Sequence, residues 1–339
     1  MNLKPTKTYL VTGAAGFIGS HVFTKLTKDP SARVIGVDCF SDYYSVNLKK
    51  ARTLNFEKTN GIFLELDLAD RENCKKLLEV YRPTHVIHLA AQAGIRLPLE
   101  QNGRYVKENL VSFVNIASES ISSGVDNFLY ASSSSVYGDS SKIPFVETES
   151  PLSPVSFYGL TKLFNEMTIA NFAPRSKTKF RGMRFFTVYG PWGRPDMAYF
   201  KLISKGLSNL EFKLNGDGTV KRDFTFVDDV VASVIKLSAE LETREEGFHD
   251  VVNIGGGKPV SMLELISTIQ SSLGIKLNVK FGAPDRSDLK ITNASTKYQT
   301  DLIGNVPETS LTEGVAKTIS WARSPGISES LSGWSLGHL

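Results

Sequence analysis

The chain is short of cysteine. Cys39 and Cys74 are the only two among 339 residues, and there are five histidines. So few soft ligands, scattered as they are, give neither a disulfide framework nor a zinc site. No metal centre is expected, and a reducing, cytoplasmic setting is. No apolar run approaches the roughly 18 residues that cross a bilayer. Met1 to Thr8 is polar and leads directly into a strand-like run, so no secretory leader and no membrane partner are expected. Charge of one sign is also scarce. The formal net charge of +4 reads as solvated surface, and no nucleic-acid partner is expected. His21 and His88 read as packed, hydrogen-bonded histidines. Asp228-Asp229 has no His or Cys companions and reads as helix capping.

What is present is alternation. Short apolar runs at Tyr9–Val11, Arg33–Asp38, Gly61–Asp67, His85–Leu89, Asn127–Ser132 and Lys179–Phe186 read as buried strands. Phe17–Lys28, Arg71–Tyr81, Arg104–Ser123 and Ser156–Phe172 read as helices between them. Such alternation predicts an α/β fold with a doubly wound parallel sheet covered on both faces. Pro191, Gly193 and Pro195 then break the pattern. Residues 1–190 are expected to form the sheet domain, and 191–322 a smaller mixed α/β lobe that holds substrate. Residues 323–339, rich in Ser and Gly, are expected to be a mobile polar tail. Within the second lobe Gly216-Asp217-Gly218 reads as a hairpin turn. Ser261–Leu273 reads as a helix opened by a capping box of Ser261 and Glu264.

Gly13, Gly16 and Gly19 follow the first strand and open the first helix. Their spacing lets the backbone turn tightly and approach a pyrophosphate. The helix start, with Phe17 and Ile18, supplies N–H groups and a partial positive charge. This marks the sheet as a Rossmann-type dinucleotide site. Asp38 ends the second strand, where its carboxylate accepts from both ribose hydroxyls and repels a 2′-phosphate, so NAD is favoured over NADP. Asp67 and Leu68, after the third strand, either contact adenine or cap the next helix. Leu89-Ala90-Ala91, after the fourth, either line the ribose and diphosphate or serve close packing.

Tyr158 and Lys162 stand four residues apart on a predicted helix and share a face. A free phenol, with a pKa of about 10, is a poor base at neutral pH; a nearby cation favours the phenolate. A hydroxyl from the run Ser132–Ser135, brought to the same place, can share the proton. Together they can take a proton from an alcohol while a hydride leaves the same carbon, given a nicotinamide.

The segments TGAAGFIGSH (12–21), HLAAQAGIR (88–96), YASSSSVYG (130–138), YGLTK (158–162), RFFTVYGPWGRPDMA (184–198) and RDFTFVDD (222–229) resemble the extended short-chain dehydrogenase/reductases, specifically the NAD-dependent nucleotide-sugar epimerases. The resemblance runs from about Lys7 to Arg323. It implies Tyr158 as catalytic base, Lys162 as its partner and, aligned on Val136-Tyr137-Gly138, Ser133 as the hydroxyl. It also implies cofactor contacts from Tyr158, Lys162 and Asn109. Dehydratases of this family carry an Asp-Glu pair before Val-Tyr-Gly, and UDP-glucuronate decarboxylases a Glu. Here Ser134 and Ser135 stand instead, and neither is a carboxylic acid.

The segment around Thr187 is most similar to the UDP-glucuronate 4-epimerases. The expected reaction is therefore 4-epimerisation of UDP-glucuronate to UDP-galacturonate, with UDP-glucose or UDP-N-acetylglucosamine as the alternative substrate. Thr187, Ser134 and Ser135 are expected to hold the sugar carboxylate, with Arg96 a further candidate. Arg194, Arg222 and Arg286 are candidates for the diphosphate or uridine, since a planar fork suits phosphate. The pattern departs from the family at Arg286-Ser287-Asp288 and Asn293-Ala294-Ser295. The resemblance implies a homodimer joined through helices Arg104–Ser123 and Ser156–Phe172.

Overall fold

The computed structural model describes residues 7–139, 142–284, 289–305 and 308–335. Its strands are β1 (Lys7–Thr12), β2 (Ala32–Asp38), β3 (Ile62–Glu65), β4 (His85–His88), β5 (Asn127–Ser133) and β6 (Lys179–Phe185). They are followed by β7 (Thr187–Tyr189), β8 (Phe212–Asn215), β9 (Lys221–Phe226), β10 (His249–Ile254), β11 (Pro259–Ser261) and β12 (Val279–Gly282). The main sheet has seven strands in the order β10-β6-β5-β4-β1-β2-β3. All its pairings are parallel. Strand order reverses between β1 and β4, so the carboxyl ends of those strands open a crevice, the usual ligand position in such sheets.

The central strands are short and apolar because helices cover both faces. Val86 and Ile87 of β4 and Phe128, Leu129 and Tyr130 of β5 are fully buried. The helix Phe157–Phe172 begins where expected. Ser156 is extended, and its hydroxyl accepts from the Gly159 amide at 3.0 Å. The helix that follows β4 is continuous from Asn102 to Ser122 but contains a π-turn at Val106–Val111.

Three features differ from the sequence reading. First, the helix Val227–Leu241 and β10 belong to the main sheet: β10 pairs along β6 from His249↔Phe180 to Ile254↔Phe185. The chain thus leaves the sheet at Phe186 and returns to it, and no contiguous cut at residue 190 separates the lobes. Second, Gly216 and Gly218 do make the turn, with φ of 77° and 83°. It joins β8 to β9 without pairing them, so it is not a hairpin. β8 pairs with β12, and β9 with β7 and β11. Third, Ser328–Ser335 is a helix and not a loose tail. Leu331 is buried in the second lobe's core, and Trp334 packs with Tyr44, Leu48 and Trp192. Two apolar anchors outweigh a polar composition.

Candidate active site

A cleft of about 800 Å³ runs along the carboxyl ends of the main-sheet strands and under the second lobe. At its floor lies the glycine turn. Gly13 has φ 66°, and a Cβ there would sit 2.7 Å from the Ala90 amide nitrogen. A Cβ on Gly16 would meet the Gly13 carbonyl oxygen at 2.8 Å, and one on Gly19 at 2.1 Å. Only glycine permits this close turn into the first helix. Phe17, Ile18, Leu68, Leu89, Ala90 and Ala91 line the cleft beside it. Asp38 lines it too, its carboxylate fixed by the Ala15 amide at 3.1 Å and the Phe40 amide at 2.8 Å. Four lone-pair sites on two oxygens leave room for further donors.

Two residues expected at the cofactor are not on this wall. Asn109 is buried and absent from the cleft wall. Its oxygen accepts from the Gln92 amide at 2.8 Å, and its nitrogen donates to the Gln92 carbonyl at 3.1 Å and Thr161 Oγ1 at 3.0 Å. It therefore splices the loop after β4 to the Tyr158 helix. Asp67 lines an adjoining recess and pairs with Lys107 at 2.7 Å, while also accepting from the Ala69 amide. The helix that follows is capped by Asp70, whose carboxylate accepts from the Glu72 amide at 2.9 Å, and not by Asp67.

The serine run ends β5 and turns as a single 3₁₀ turn, Ser134–Val136. Its members separate in role. Ser132 points to Glu166, which also holds Arg184 at 2.8 Å. Ser133 Oγ accepts from the Ser135 amide at 3.1 Å, lies 3.1 Å from Ser135 Oγ and sits near enough to the Tyr158 phenol to favour its ionised form. Ser134, Ser135 and Thr187 line the cleft beside it. The Tyr158 helix approaches this turn because residue 159 is glycine: a Cβ there would lie 2.6 Å from the Ser135 carbonyl oxygen.

Burial pushes the Tyr158 phenol above its usual 10; the Arg194 charge and the Ser133 hydroxyl act in the opposite direction. Lys162 is fully buried, and burial brings its pKa down to about 8. Its ammonium sits 5.8 Å from the Tyr158 ring centre and donates to the Ala131 carbonyl at 2.9 Å. Arg194 thus adds a second positive charge near the phenol, beside the lysine expected from the sequence. Beneath lies His88, pushed down to about 3 by burial and by the Lys162 charge, and bonded to Thr12 Oγ1 at 2.8 Å. It is a neutral packing residue, as expected.

Arg194 lines the cleft from the opposite lobe. Its fork grips Asp196, with Nε 3.0 Å from Oδ1 and Nη2 2.6 Å from Oδ2. Burial opposes the charge, but Asp196 keeps the guanidinium well above its usual pKa, and Arg194 in turn holds the Asp196 carboxyl low. Arg96 and Arg222 also line the cleft; Arg222 donates to the Leu289 carbonyl at 2.7 Å. Arg286 lies outside the described residues. Sequence reasoning missed Asp196, Tyr43 and Lys201, all on the cleft wall. Asp196 alone had a signal, two residues from Arg194 within a quoted segment. Among the described residues no cluster of His, Cys, Asp or Glu can hold a metal ion.

The model of the NAD dependent epimerase/dehydratase family matches residues 9–255. The chain belongs to this family. Among family relatives, UDP-glucuronate 4-epimerase 4 of Arabidopsis thaliana is 38% identical over 332 residues, 93% of this chain and 75% of that one. Protein CapI of Staphylococcus aureus is 36% identical over 325 residues, covering 92% and 97%. Among solved structures, the UDP-glucuronic acid 4-epimerase of Bacillus cereus, in complex with UDP-glucuronic acid and NAD, superposes with a TM-score of 0.86. It is 32% identical and covers 93% of this chain and 98% of its own. The family's fold, a parallel sheet flanked by helices, is the fold seen here.

Proposed function

We propose that the protein is an NAD-dependent 4-epimerase that converts UDP-glucuronate to UDP-galacturonate. One observation carries this reading: Tyr158, Ser133 and Lys162 converge at the end of β5, ringed by the hydroxyls of Ser134, Ser135 and Thr187. No carboxylic acid stands in the serine run to drive elimination. Asp196 is taken up by Arg194.

The Gly13–Gly19 turn, with no room for a Cβ at its three glycines, and the Asp38 carboxylate fit a dinucleotide with free ribose hydroxyls. NAD, when bound there, supplies the acceptor and then the donor of the C4 hydride. Tyr158 takes the 4-hydroxyl proton, with Ser133 bridging. A site without a carboxylic acid leaves the 4-keto sugar one exit, reduction on its other face after it turns about the diphosphate. Tyr158 then returns the proton. Arg194 and Ser133 stabilise the phenolate form that the cycle requires.

A 4-keto hexuronic acid is a β-keto acid and readily loses carbon dioxide. The hydroxyls of Thr187, Ser134 and Ser135 bind its carboxylate so that the C5–C6 bond stays out of line with the carbonyl π system. Arg96 and Arg222 are assigned to the sugar side and to the nucleotide. The residues around 191–226 and 259–323 form the substrate lobe.

Homodimerisation is part of the proposal. Leu160, Phe164 and Met167 are exposed on one face of the Phe157–Phe172 helix, beside exposed Val106 and Val111 of the neighbouring helix. A cytoplasmic location is proposed as well; Cys39 and Cys74 are both free, and no helix of the described residues is long and apolar enough to cross a membrane. The test offers UDP-glucuronate, UDP-glucose and UDP-N-acetylglucosamine in parallel. Turnover confined to the neutral sugars would transfer the reading to a hexose or hexosamine epimerase.

A further inference from the structure

Arg52 sits on the helix Val46–Thr53, far in sequence from either lobe's motifs, and is 2% exposed. Its guanidinium has five N–H donors, and the structure gives five bonds. Nη1 donates to the Ala15 carbonyl at 2.9 Å and to Tyr44 Oη at 2.6 Å. Nε and Nη2 both donate to the Trp192 carbonyl, at 3.0 and 2.7 Å, and Nη2 also reaches the Gly193 carbonyl at 3.0 Å. None of these acceptors is a carboxylate. An arginine is buried here for its geometry: a rigid fork can join three segments at once, which a point-charge ammonium cannot.

Two of those segments matter to the site. Ala15 lies in the dinucleotide turn. Trp192 and Gly193 immediately precede Arg194. Trp192 has φ 60°, a left-handed conformation that a bulky residue adopts only when its surroundings force it. Arg52 grips its carbonyl, and the rings of Trp321 and Trp334 lie 5.3 and 6.3 Å from its indole. Gly193 is fixed too, since a Cβ there would lie 1.6 Å from Tyr199 Oη. The turn that launches Arg194 toward Tyr158 is thus clamped to the floor of the cofactor turn.

We propose that Arg52 is a positioning residue: it holds the Trp192–Gly193 turn against the glycine turn and so sets where the Arg194–Asp196 pair meets Tyr158 and the substrate. This rests on the epimerase reading for its activity readout. The test is a double-mutant cycle with Arg52→Lys and Arg194→Lys, read as kcat/KM for UDP-glucuronate and as UDP affinity by calorimetry. Each single change is expected to lower kcat/KM by tenfold or more, since misplacement of about 1 Å costs on the order of 10²-fold. The double variant should fall no further than Arg194→Lys alone, within about threefold. Losses that multiply, or an Arg52→Lys enzyme with unchanged kcat/KM, would overturn the proposal. If Arg52→Lys does not fold, Trp192→Gly, which frees the same turn, takes its place in the cycle. If the wild-type protein leaves UDP-glucuronate untouched, the epimerase reading has failed, and the same cycle in UDP affinity still decides the role of Arg52.

Discussion

Lys162 lies one helical turn from Tyr158, yet its hydrogen bond goes to the Ala131 carbonyl, 2.9 Å away, at the end of β5. The lysine ties the catalytic helix to the strand that carries the serines and keeps a cation 5.8 Å from the phenol ring centre. Burial lowers its pKa from 10.5 to about 8. kcat/KM should therefore decline through about pH 8 as that charge is lost. Lys162→Met should be slow at every pH and lack this alkaline limb; a limb that persists assigns it to another group. Between pH 8 and 10.5 the folded chain binds fewer protons at this site than the unfolded chain, so the site's contribution to stability rises with pH across that window. Urea titrations should show Lys162→Met most favoured over wild type at neutral pH, with the advantage shrinking toward pH 10.5.

Tyr158→Phe removes the proton carrier and leaves the ring packed against Tyr105. Turnover should drop by about 10²–10⁴-fold, the range of a lost general base, while bound dinucleotide and melting temperature hold. Ser133→Ala removes only the bridging hydroxyl and should cost less. Near-normal turnover in Tyr158→Phe would take Tyr158 out of the mechanism.

Thr187 begins β7, just after the chain leaves the main sheet, and lines the cleft from that junction. Thr187→Val keeps the shape and removes the donor. A hydrogen bond to a charged group contributes about 1.5–3 kcal/mol, so KM for UDP-glucuronate should rise about 10- to 100-fold. A UDP-pentose should appear beside the epimer as carboxylate control is lost. Mass spectrometry of the products reads both effects; an unchanged KM with no pentose removes Thr187 from the sugar site.

Much of this site was legible in the chain. The glycine spacing, the start of the Tyr158 helix at Ser156 and the i,i+4 pair are local, and local backbone geometry follows from local residue types. Contacts between distant segments were not. Asn109 reads as a polar residue on a helix in a dinucleotide domain, and nothing nearby in sequence says that its amide is bonded to Gln92 and Thr161. Arg52 meets Trp192 across 140 residues. β10 looks like any lobe strand until its pairing with β6 is seen. The final helix hid because two buried apolar anchors, Leu331 and Trp334, sit among serines and glycines.

Asp223 shows a further long-range role. Its fully buried carboxylate accepts from the amides of Gly256 at 2.8 Å, Gly257 at 2.9 Å and Ala294 at 2.9 Å. It stitches β9 to the loop after β10 and to the segment beyond β12. Asp223→Ala leaves the buried Ala294 amide and the part-buried Gly256 and Gly257 amides without their acceptor, at about 1–3 kcal/mol for each donor that water does not reach. Urea denaturation should show a loss of at least about 3 kcal/mol; a loss below about 1 kcal/mol would mean that water or a shifted loop replaces the carboxylate.

The central claim, oxidation and re-reduction at one sugar carbon, is tested most directly by incubating the protein with UDP-glucuronate in heavy water and reading the products by NMR. The account predicts UDP-galacturonate that keeps its original hydrogen at C4, because that hydride never exchanges with solvent. Deuterium at C4, or conversion of UDP-glucuronate to a pentose without any UDP-galacturonate, would contradict it.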